Sequence, residues 1–262
     1  MTLESAPLED PIAEAQRLAE AAKVKKLGLK LLGGAGINLH SPSARKAPLK
    51  RKYGDLDYAM SRRDRKAALD FFPGLGYEAN ERFNLMQGDR RLYFYDSNNG
   101  RQVDVFIDVF RMSHVIDLRG RLEHEGPCAS PSDLLLSKLQ IYEMNRKDLV
   151  DLVALLLDHE VEAHLRGAAA AGDDVIDAAY IARLSADDWG LYRTLQVNSD
   201  KLRAMVGELD VDRDLVLSRL NELWSAVETQ PKPLKWKLRA QVGDRLQWYE
   251  LPEEVRSPYQ PE

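Results

Sequence analysis

The sequence predicts an α/β (α+β) protein, with a mixed β-sheet flanked by helices in the first half of the chain and a mainly helical C-terminal region after it. Short β-rich runs bounded by turn residues predict the strands. Apolar residues at helical spacing predict an amphipathic helix at 11–26 and longer helices after residue 130. Two of the β-rich runs, 54–60 and 102–106, carry acids where a strand normally carries apolar residues.

The composition narrows the classes of protein to consider. The 262 residues, of which 44% are hydrophobic and 30% charged, are enough for one large domain or two small ones. The net charge of -5 argues against a general nucleic-acid coat protein but allows a local basic patch. The single cysteine, Cys128, excludes an internal disulfide and is typical of a reducing compartment.

Membrane and export signals are absent from the sequence pattern. No apolar run approaches the ~20 residues that a membrane-spanning helix needs. The N-terminus is acidic and interrupted by Pro7 and Pro11, which does not match a secretory signal. We therefore expect a cytoplasmic protein with no membrane partner.

A glycine-rich turn, Gly33-Gly34-Ala35-Gly36, follows the short apolar run 27–32. Glycines allow backbone N–H groups to approach a ligand closely, an arrangement that suits phosphate. A plain tight turn needs the same residues, so the functional interpretation depends on the acids that follow. A dinucleotide-binding fold is disfavoured because no repeated strand–helix–strand pattern comes after the turn.

The remaining elements of the first half follow from turn and cap signals. Ser61 and Asp64 resemble a capping box for a helix that ends before Pro73-Gly74. The strands predicted after this helix are 83–86, 91–95 and 101–110, with 115–118 as a further candidate for the sheet.

The second half is predicted to be helical until a terminal β-hairpin. Ser130 and Pro131 open a long, largely buried helix that runs to Leu157. The small-residue segment 168–172 is the predicted linker between a domain at 1–165 and a C-terminal region at 166–262. The elements predicted in that region are helices at 174–184, 187–206 and 212–227 and hairpin strands at 236–242 and 245–249.

Three aspartates are predicted to meet on one face of the sheet. Asp55 and Asp57 are two residues apart, so their side chains point to the same face of a strand. Asp104 lies in the second acid-bearing run, and Asp108, on the same face, is its rival for the third position. Clustered carboxylates repel one another unless a cation lies between them, and Mg²⁺ prefers carboxylate oxygens.

Two basic residues are candidates for phosphate binding. Lys138 falls in the predicted buried helix and needs a partner, which is either a carboxylate (Asp148 or Asp151) or a nucleotide phosphate. Arg51 stands just ahead of the aspartate pair in a basic segment at 45–66. Most side chains of that segment fit a solvated surface; the alternative is an electrostatic funnel for a phosphate-rich substrate.

Taken together, these residues resemble the motifs of the nucleotidyltransferase superfamily, whose fold is shared with the DNA polymerase β palm. That family shows a glycine-rich turn, two aspartates flanking one residue on a strand, and a third aspartate on a later strand. The resemblance covers about residues 25–160 and implies a mixed β-sheet nucleotidyltransferase core. The matching residues are Gly33-Gly34, Asp55-Leu56-Asp57 and Asp104.

The chain is more closely similar to the bacterial branch that includes abortive-infection toxins and antibiotic-modifying nucleotidyltransferases. In that branch an arginine stands four residues ahead of the first aspartate. A leucine-rich helix with a lysine follows later, and then a basic–acidic pair. Arg51, the segment 134–140 with Lys138, and the segment 147–151 with Asp148 match this pattern.

The resemblance implies a metal-dependent transferase that moves a nucleoside monophosphate from a triphosphate such as ATP to a hydroxyl, with release of pyrophosphate. Asp55, Asp57 and Asp104 would bind two Mg²⁺ ions, and Asp104 would accept the proton of the attacking hydroxyl. The acceptor stays open between an RNA 3′ end, a protein hydroxyl and a small molecule, and the implied protein partner is an antitoxin or a second copy of the chain. The residues implied in nucleotide binding are Gly33, Gly34, Arg51, Lys138 and Asp148.

Two departures from the family pattern motivate an alternative. The family often has serine or threonine where this chain has Ala35 and Tyr53, and a lost hydroxyl removes a phosphate contact. The alternative is a non-catalytic binding or regulatory protein that keeps the nucleotidyltransferase fold. Its helical C-terminal region would then bind a partner.

Overall fold

A five-stranded mixed sheet forms the centre of the protein in the computed structural model, which describes residues 6–162 and 174–251. Two of its strands, β4 and β5 below, are rich in β-branched and aromatic residues, which fit a pleated surface. This sheet, the helices around it and the helical C-terminal region confirm the predicted α/β (α+β) class. The strands are β1 (Leu29–Leu31), β2 (Leu56–Met60), β3 (Glu78–Ala79), β4 (Arg91–Asp96) and β5 (Arg101–Ile107).

The strand order is β1-β2-β5-β4-β3, and the acid-bearing strands β2 and β5 are neighbours. These two are parallel, whereas the other neighbouring pairs of this sheet are antiparallel. The register of β2 and β5 places Asp57 directly opposite Asp104. Because adjacent strands lie ~4.8 Å apart and opposed residues share a face, the two carboxylates are neighbours.

The two faces of the sheet pack into two different hydrophobic clusters. Tyr58 and Val105 belong to the cluster that also contains the buried residues of the first helix. Ala59 and Phe106 face the opposite way and belong to the cluster built by the later helices. Asp57 lies two residues before Ala59 and Asp104 two before Phe106, so both acids are on the face covered by the later helices.

Four helices accompany the strands in the first half of the chain. The first begins as predicted, because the Asp10 carboxylate accepts hydrogen bonds from the backbone N–H groups of Ile12 and Ala13 at 3.0 and 2.8 Å. Ser61 makes no side-chain cap bond, and the helix predicted after it is preceded by a 3-10 turn at Arg62–Asp64. The helices are α1 (Pro11–Val24), α2 (Gly33–His40), α3 (Arg65–Phe71) and α4 (Glu81–Gln87).

The strand predicted at 83–86 is wrong, since these residues lie in α4. Asn80 caps this helix by accepting a hydrogen bond from the backbone N–H of Phe83 at 3.0 Å. Leu85 and Met86 are exposed, at 86% and 68% of their surface. Their apolar character suggested a strand, but it is the cap that determines the local structure.

The single helix predicted from 131 to 157 is also wrong, because it is two helices: α5 (Pro131–Leu139) and α6 (Arg146–Asp158). Asn145 and Asp148 form a reciprocal capping box that starts α6. This cap overrides the continuity of the apolar pattern.

The C-terminal region contains the three predicted helices, α7 (Ala178–Asp187), α8 (Trp189–Val206) and α9 (Arg213–Thr229). Asp188 caps α8 by accepting a hydrogen bond from the backbone N–H of Gly190. The predicted linker at 168–172 and the boundary between residues 165 and 166 fall outside the described residues. The helices on the two sides of that gap belong to one hydrophobic cluster.

The predicted terminal β-hairpin is wrong. Its first strand is the helix α10 (Leu234–Val242), which follows Pro233 and ends at Gly243 with φ +60°. A proline ahead of the first turn and a glycine after the last turn are helix-boundary signals. They outweighed the alternation of apolar and polar residues around Gly243-Asp244.

The remaining strands form two small sheets. The segment 115–118 does not extend the central sheet, because β7 (Val115–Asp117) pairs with β6 (Val109–Arg111). A second small sheet joins β8 (Val161–Glu162) to β9 (Ile176–Asp177). Among the described residues, no helix combines the length and apolar character needed to cross a membrane.

Candidate active site

The three predicted aspartates lie on the neighbouring strands β2 and β5 or just before them, although their carboxylate oxygens are not all within 4.8 Å of one another. Asp55 immediately precedes β2 and accepts a hydrogen bond from the backbone N–H of Gln102 at 3.3 Å. Asp57 is half-buried, Asp55 is exposed and Asp104 is 5% exposed. The cluster is therefore reached from solvent on the Asp55 side and closed by protein on the Asp104 side.

The acids affect one another electrostatically. Burial, and then repulsion from Asp104, raises the pKa of Asp57 to about 6 from its ordinary value of 3.8. Loss of water around Asp55 raises its pKa as well, and Asp104 adds to that effect. Burial is the larger cause for both acids, and repulsion from Asp104 adds to it, so the protonated forms of Asp55 and Asp57 are favoured over the charged forms.

Asp104 has a cationic partner that the sequence reasoning missed. The Nε of Arg91 donates to Oδ1 of Asp104 at 2.7 Å. In the antiparallel β4–β5 ladder Tyr93 is opposite Asp104, so Arg91 is its diagonal neighbour on the same face. The sequence signal would have been a basic residue on the same face of β4, but using it requires the strand register.

The rival third acid, Asp108, lies elsewhere. It follows β5 with a positive φ of 60°. Its Oδ1 accepts a hydrogen bond from the backbone N–H of Arg62 at 2.9 Å. Asp104, and not Asp108, is opposite Asp57 and raises the pKa of Asp57.

The glycine turn adjoins the acids directly. Gly33 starts α2 with φ +59°, and a Cβ atom at this position would overlap Oδ2 of Asp57. A Cβ atom at Gly34 would overlap Nη2 of Arg51. The N-terminal end of α2, preceded by Leu32 with no side-chain cap, therefore lies against both the acid cluster and the predicted arginine.

Arg51 and Lys138 have carboxylate partners, the first of the two alternatives considered for Lys138. Arg51 forms a two-pronged pair with Asp151, with Nε–Oδ1 at 2.8 Å and Nη2–Oδ2 at 2.6 Å. The Nζ of Lys138 is 2.7 Å from Oδ1 of Asp148 and 3.3 Å from Oδ2 of Asp151. Lys138 also lowers the pKa of Asp57, so its charge acts on the acid cluster.

Asp148 and Asp151 thus position both predicted phosphate-binding cations. Asp148 has a second task, since its Oδ2 accepts a hydrogen bond from the backbone N–H of Asn145 at 3.2 Å. Because both acids lie in the first turns of α6, the start of that helix fixes Lys138 and Arg51 in place.

The two departures from the family pattern have different roles. Ala35 is 2% exposed and packs in the core beside the sheet. The ring of Tyr53 lies 4.1 Å from the guanidinium carbon of Arg51, a cation–π contact. The Tyr53 hydroxyl accepts a hydrogen bond from Nδ2 of Asn38 at 3.3 Å. Tyr53 therefore supports Arg51.

Three ion pairs lie around the acids. They join Arg51 to Asp151, Arg91 to Asp104 and Lys138 to Asp148. Asp55 is affected by the charges of Lys147 and Arg101, which lower its pKa against the rise caused by burial. An all-carboxylate donor set, and a glycine that leaves room beside Asp57, fits a hard divalent cation such as Mg²⁺.

A second group of metal-ligating side chains lies away from the acids. Among the described residues, it is the one set of three or more histidines, cysteines and acids whose ligand atoms all lie within 4.8 Å of one another. Its members are His40, His159 and Asp174. His159 is 2% exposed.

No protein-family description matches this chain, and no curated protein is significantly similar to it.

Proposed function

We propose that the protein is a metal-dependent nucleotidyltransferase that moves a nucleoside monophosphate from a nucleoside triphosphate to a hydroxyl acceptor. The observation that carries the proposal is the pairing of Asp57 and Asp104 across β2 and β5, with the backbone of Gly33 packed against Asp57. This arrangement joins carboxylates for cations to a helix N-terminus for phosphate.

The acids Asp55, Asp57 and Asp104 would hold the metal in this proposal. Bound Mg²⁺ supplies charge neutralisation at the phosphate and at the attacking and leaving oxygens. The acceptor oxygen forms a bond to the α-phosphorus while the bond to the β-phosphate oxygen breaks and pyrophosphate leaves. Asp104 takes the proton of the acceptor hydroxyl, and Arg91 beside it keeps that carboxylate oriented.

The N-terminal end of α2 and the two cations Arg51 and Lys138 would bind the triphosphate. Glycine at 33 and 34 lets the chain approach the phosphates without a side chain in between. Arg51 and Lys138 are already charged and positioned by Asp148 and Asp151, so phosphate oxygens need only share their remaining N–H groups.

A basic cleft beside the site favours a phosphate-rich acceptor, such as an RNA end. It has a volume of about 670 Å³ and opens next to Arg51 and Tyr53. Arg45, Lys50 and Lys52 line the same cleft, together with two acids, Glu9 and Asp10. The other side chains of the basic segment include Arg62 and Arg63, whose surfaces are 60% and 66% exposed.

The test is incorporation of label from α-³²P nucleoside triphosphates, with Mg²⁺, into total RNA, protein or small molecules of a cell extract. Asp57→Asn and Asp104→Asn should lower the rate at least ~100-fold, because one metal-binding carboxylate is lost in each. Asp108→Asn is the matched control: it makes the same change in an acid outside the cluster, where Asn tolerates the positive φ. Unchanged rates in both active-site variants would contradict the proposal.

The second candidate function is a non-catalytic nucleotide-binding or regulatory protein. It is favoured by Ala35, which has no hydroxyl, by the Tyr53 hydroxyl, which is bonded to Asn38, and by the pairing of Asp104 with Arg91. Calorimetric titration with Mg²⁺ and each triphosphate separates the two. Binding without any transfer supports this second function, and binding with transfer supports the first.

A further inference from the structure

Three metal-ligating residues from distant parts of the chain meet at the far end of α2. His40 is the last residue of α2, His159 is the C-cap of α6, and Asp174 precedes β9. The Nδ1 atoms of His40 and His159 are 3.2 and 3.1 Å from the same atom, Oδ1 of Asp174. The two rings meet edge to face, with centroids 5.0 Å apart.

These distances are close to the edges of a coordination tetrahedron. Zn²⁺ binds imidazole nitrogen and carboxylate oxygen at about 2.0–2.2 Å, so two ligands of one tetrahedral ion lie about 3.3–3.6 Å apart. The separations of 3.2 and 3.1 Å are just below that range and at the long end of an ordinary N–H···O hydrogen bond. A slight outward movement of the exposed Asp174 side chain would bring its carboxylate to the distance that an ion needs.

The surroundings also suit an ion. The other ring nitrogen of His159, Nε2, lies 3.3 Å from Oγ of Ser41, the kind of outer contact that fixes the orientation of a ligating imidazole. The C-terminal end of α2 adds partial negative charge beside His40. Asp174 has a side chain that is 75% exposed, so a fourth coordination position would face water.

The cluster is connected to the candidate active site through two helices. The first residue of α2, Gly33, lies against Asp57, and its last residue is His40. Asp148 and Asp151 in α6 hold Lys138 and Arg51, and the same helix is capped by His159. An ion bound by the two histidines would join the far ends of both helices.

We propose that His40, His159 and Asp174 bind one transition-metal ion of the Zn²⁺ class, which fixes the C-terminal ends of α2 and α6 to each other. Imidazole nitrogen selects Zn²⁺, Co²⁺ or Ni²⁺ over Mg²⁺, so this site and the all-carboxylate site take different ions. The proposal does not depend on nucleotidyl transfer, because it rests on the histidine cluster alone.

The test uses the full-length protein, stripped with EDTA and titrated with Co²⁺ and then Zn²⁺ in the presence of excess Mg²⁺. The expected result is one Co²⁺ per chain with visible absorption typical of a four-coordinate site, bleached by one equivalent of Zn²⁺. Zn²⁺ at about 100 times its dissociation constant should raise Tm by about 5–10 °C.

Asp174→Asn and His40→Gln should each weaken Co²⁺ binding at least ~10-fold and abolish the rise in Tm. Asp187→Asn, an exposed aspartate outside the cluster, is the matched control and should bind like the wild type. Circular dichroism in EDTA checks that each variant is folded. Wild-type protein that binds no Co²⁺, or Asp174→Asn and His40→Gln that bind it as tightly as wild type, would show a hydrogen-bonded cluster without a metal and overturn the proposal.

Discussion

The two ends of helix α2 lie beside side chains with different metal-binding properties. At its start, Gly33 lies against an acid cluster whose donors are all carboxylate oxygens. At its end, His40 joins a second histidine and one aspartate. The first environment suits a hard cation with phosphate oxygens, and the second suits a borderline ion such as Zn²⁺. One short helix thus has two candidate sites of different ligand type at its ends, and variants at either end should affect one of them without the other.

The largest expected effect is that of Gly33→Ala. The added Cβ atom overlaps Oδ2 of Asp57, and the φ of +59° is unfavourable for alanine, so transfer activity should fall at least ~100-fold. Stability should fall by about 1–3 kcal/mol. Urea unfolding and the labelled-triphosphate assay measure the two effects.

The control for Gly33→Ala is Gly74→Ala, where the new Cβ meets nothing within 4 Å. Co²⁺ binding at His40 should be unchanged in both variants. If Gly33→Ala keeps full transfer activity, the glycine turn is not part of the site.

The next largest effect is that of Arg91→Met. It leaves the buried Asp104 carboxylate without its 2.7 Å partner, which should cost about 2–3 kcal/mol of unfolding free energy in EDTA. Mg²⁺ should recover part of that loss, because the ion takes over neutralisation of Asp104. Chemical unfolding with and without Mg²⁺ measures this.

Arg82→Met is the control for Arg91→Met, since Arg82 is exposed on α4 and its loss should change stability by less than about 0.5 kcal/mol. Equal stability of Arg91→Met and Arg82→Met would show that Asp104 does not depend on Arg91.

A smaller, pH-dependent effect is expected of Asp57→Asn. The pKa of Asp57 is about 6 in the fold and 3.8 ordinarily, so the fold favours its protonated form and ionisation destabilises the fold as pH rises from about 4 to 6. Above pH 6 the metal-free variant should be more stable than wild type by about 1–2 kcal/mol, after allowing for partial solvent exposure. Below pH 4 the difference should vanish.

Unfolding of both proteins in EDTA at pH 4 and pH 8 checks this prediction. With Mg²⁺ present at pH 8, wild type should gain stability and Asp57→Asn should not. If Asp57→Asn is less stable than wild type at pH 8 in EDTA, the ionised Asp57 carboxylate does not destabilise the fold, and this prediction is wrong.

The smallest expected effect is that of Arg51→Lys. The charge remains, but the two-pronged contact with Asp151 and the stacking on Tyr53 are lost. We expect a loss of about 1 kcal/mol in stability and a several-fold rise in KM for the triphosphate. Steady-state kinetics measure the second effect, and Arg82→Lys, the same change at an exposed arginine on α4, is the control. An unchanged KM would show that Arg51 does not contact the triphosphate.

Much of the acid site was predictable from the sequence, because the period of a strand fixes which residues share a face. Asp55 and Asp57 needed only that period, and Asp104 needed in addition that its strand lie beside theirs. The role of Arg91 could not be predicted, because its contact with Asp104 depends on the register between β4 and β5. Local patterns carry no register.

Two errors in the predicted fold have a common cause, because in both an apolar pattern favoured one element where a cap residue starts another. Asn80 starts a helix where exposed apolar residues suggested a strand, and Asn145 interrupts an apolar run that suggested one helix. The histidine cluster was not predictable from the sequence for another reason. His40 and His159 are separated by more than a hundred residues in sequence, so only the packing of α2 on α6 brings them together.

The most direct test of the acid site is anomalous diffraction from crystals grown with Mn²⁺ and a non-hydrolysable nucleoside triphosphate. The account predicts a Mn²⁺ peak between the carboxylates of Asp57 and Asp104, with the triphosphate at the N-terminal end of α2. A triphosphate bound elsewhere, or Mn²⁺ absent from these two aspartates while Arg91 still holds Asp104, would contradict it.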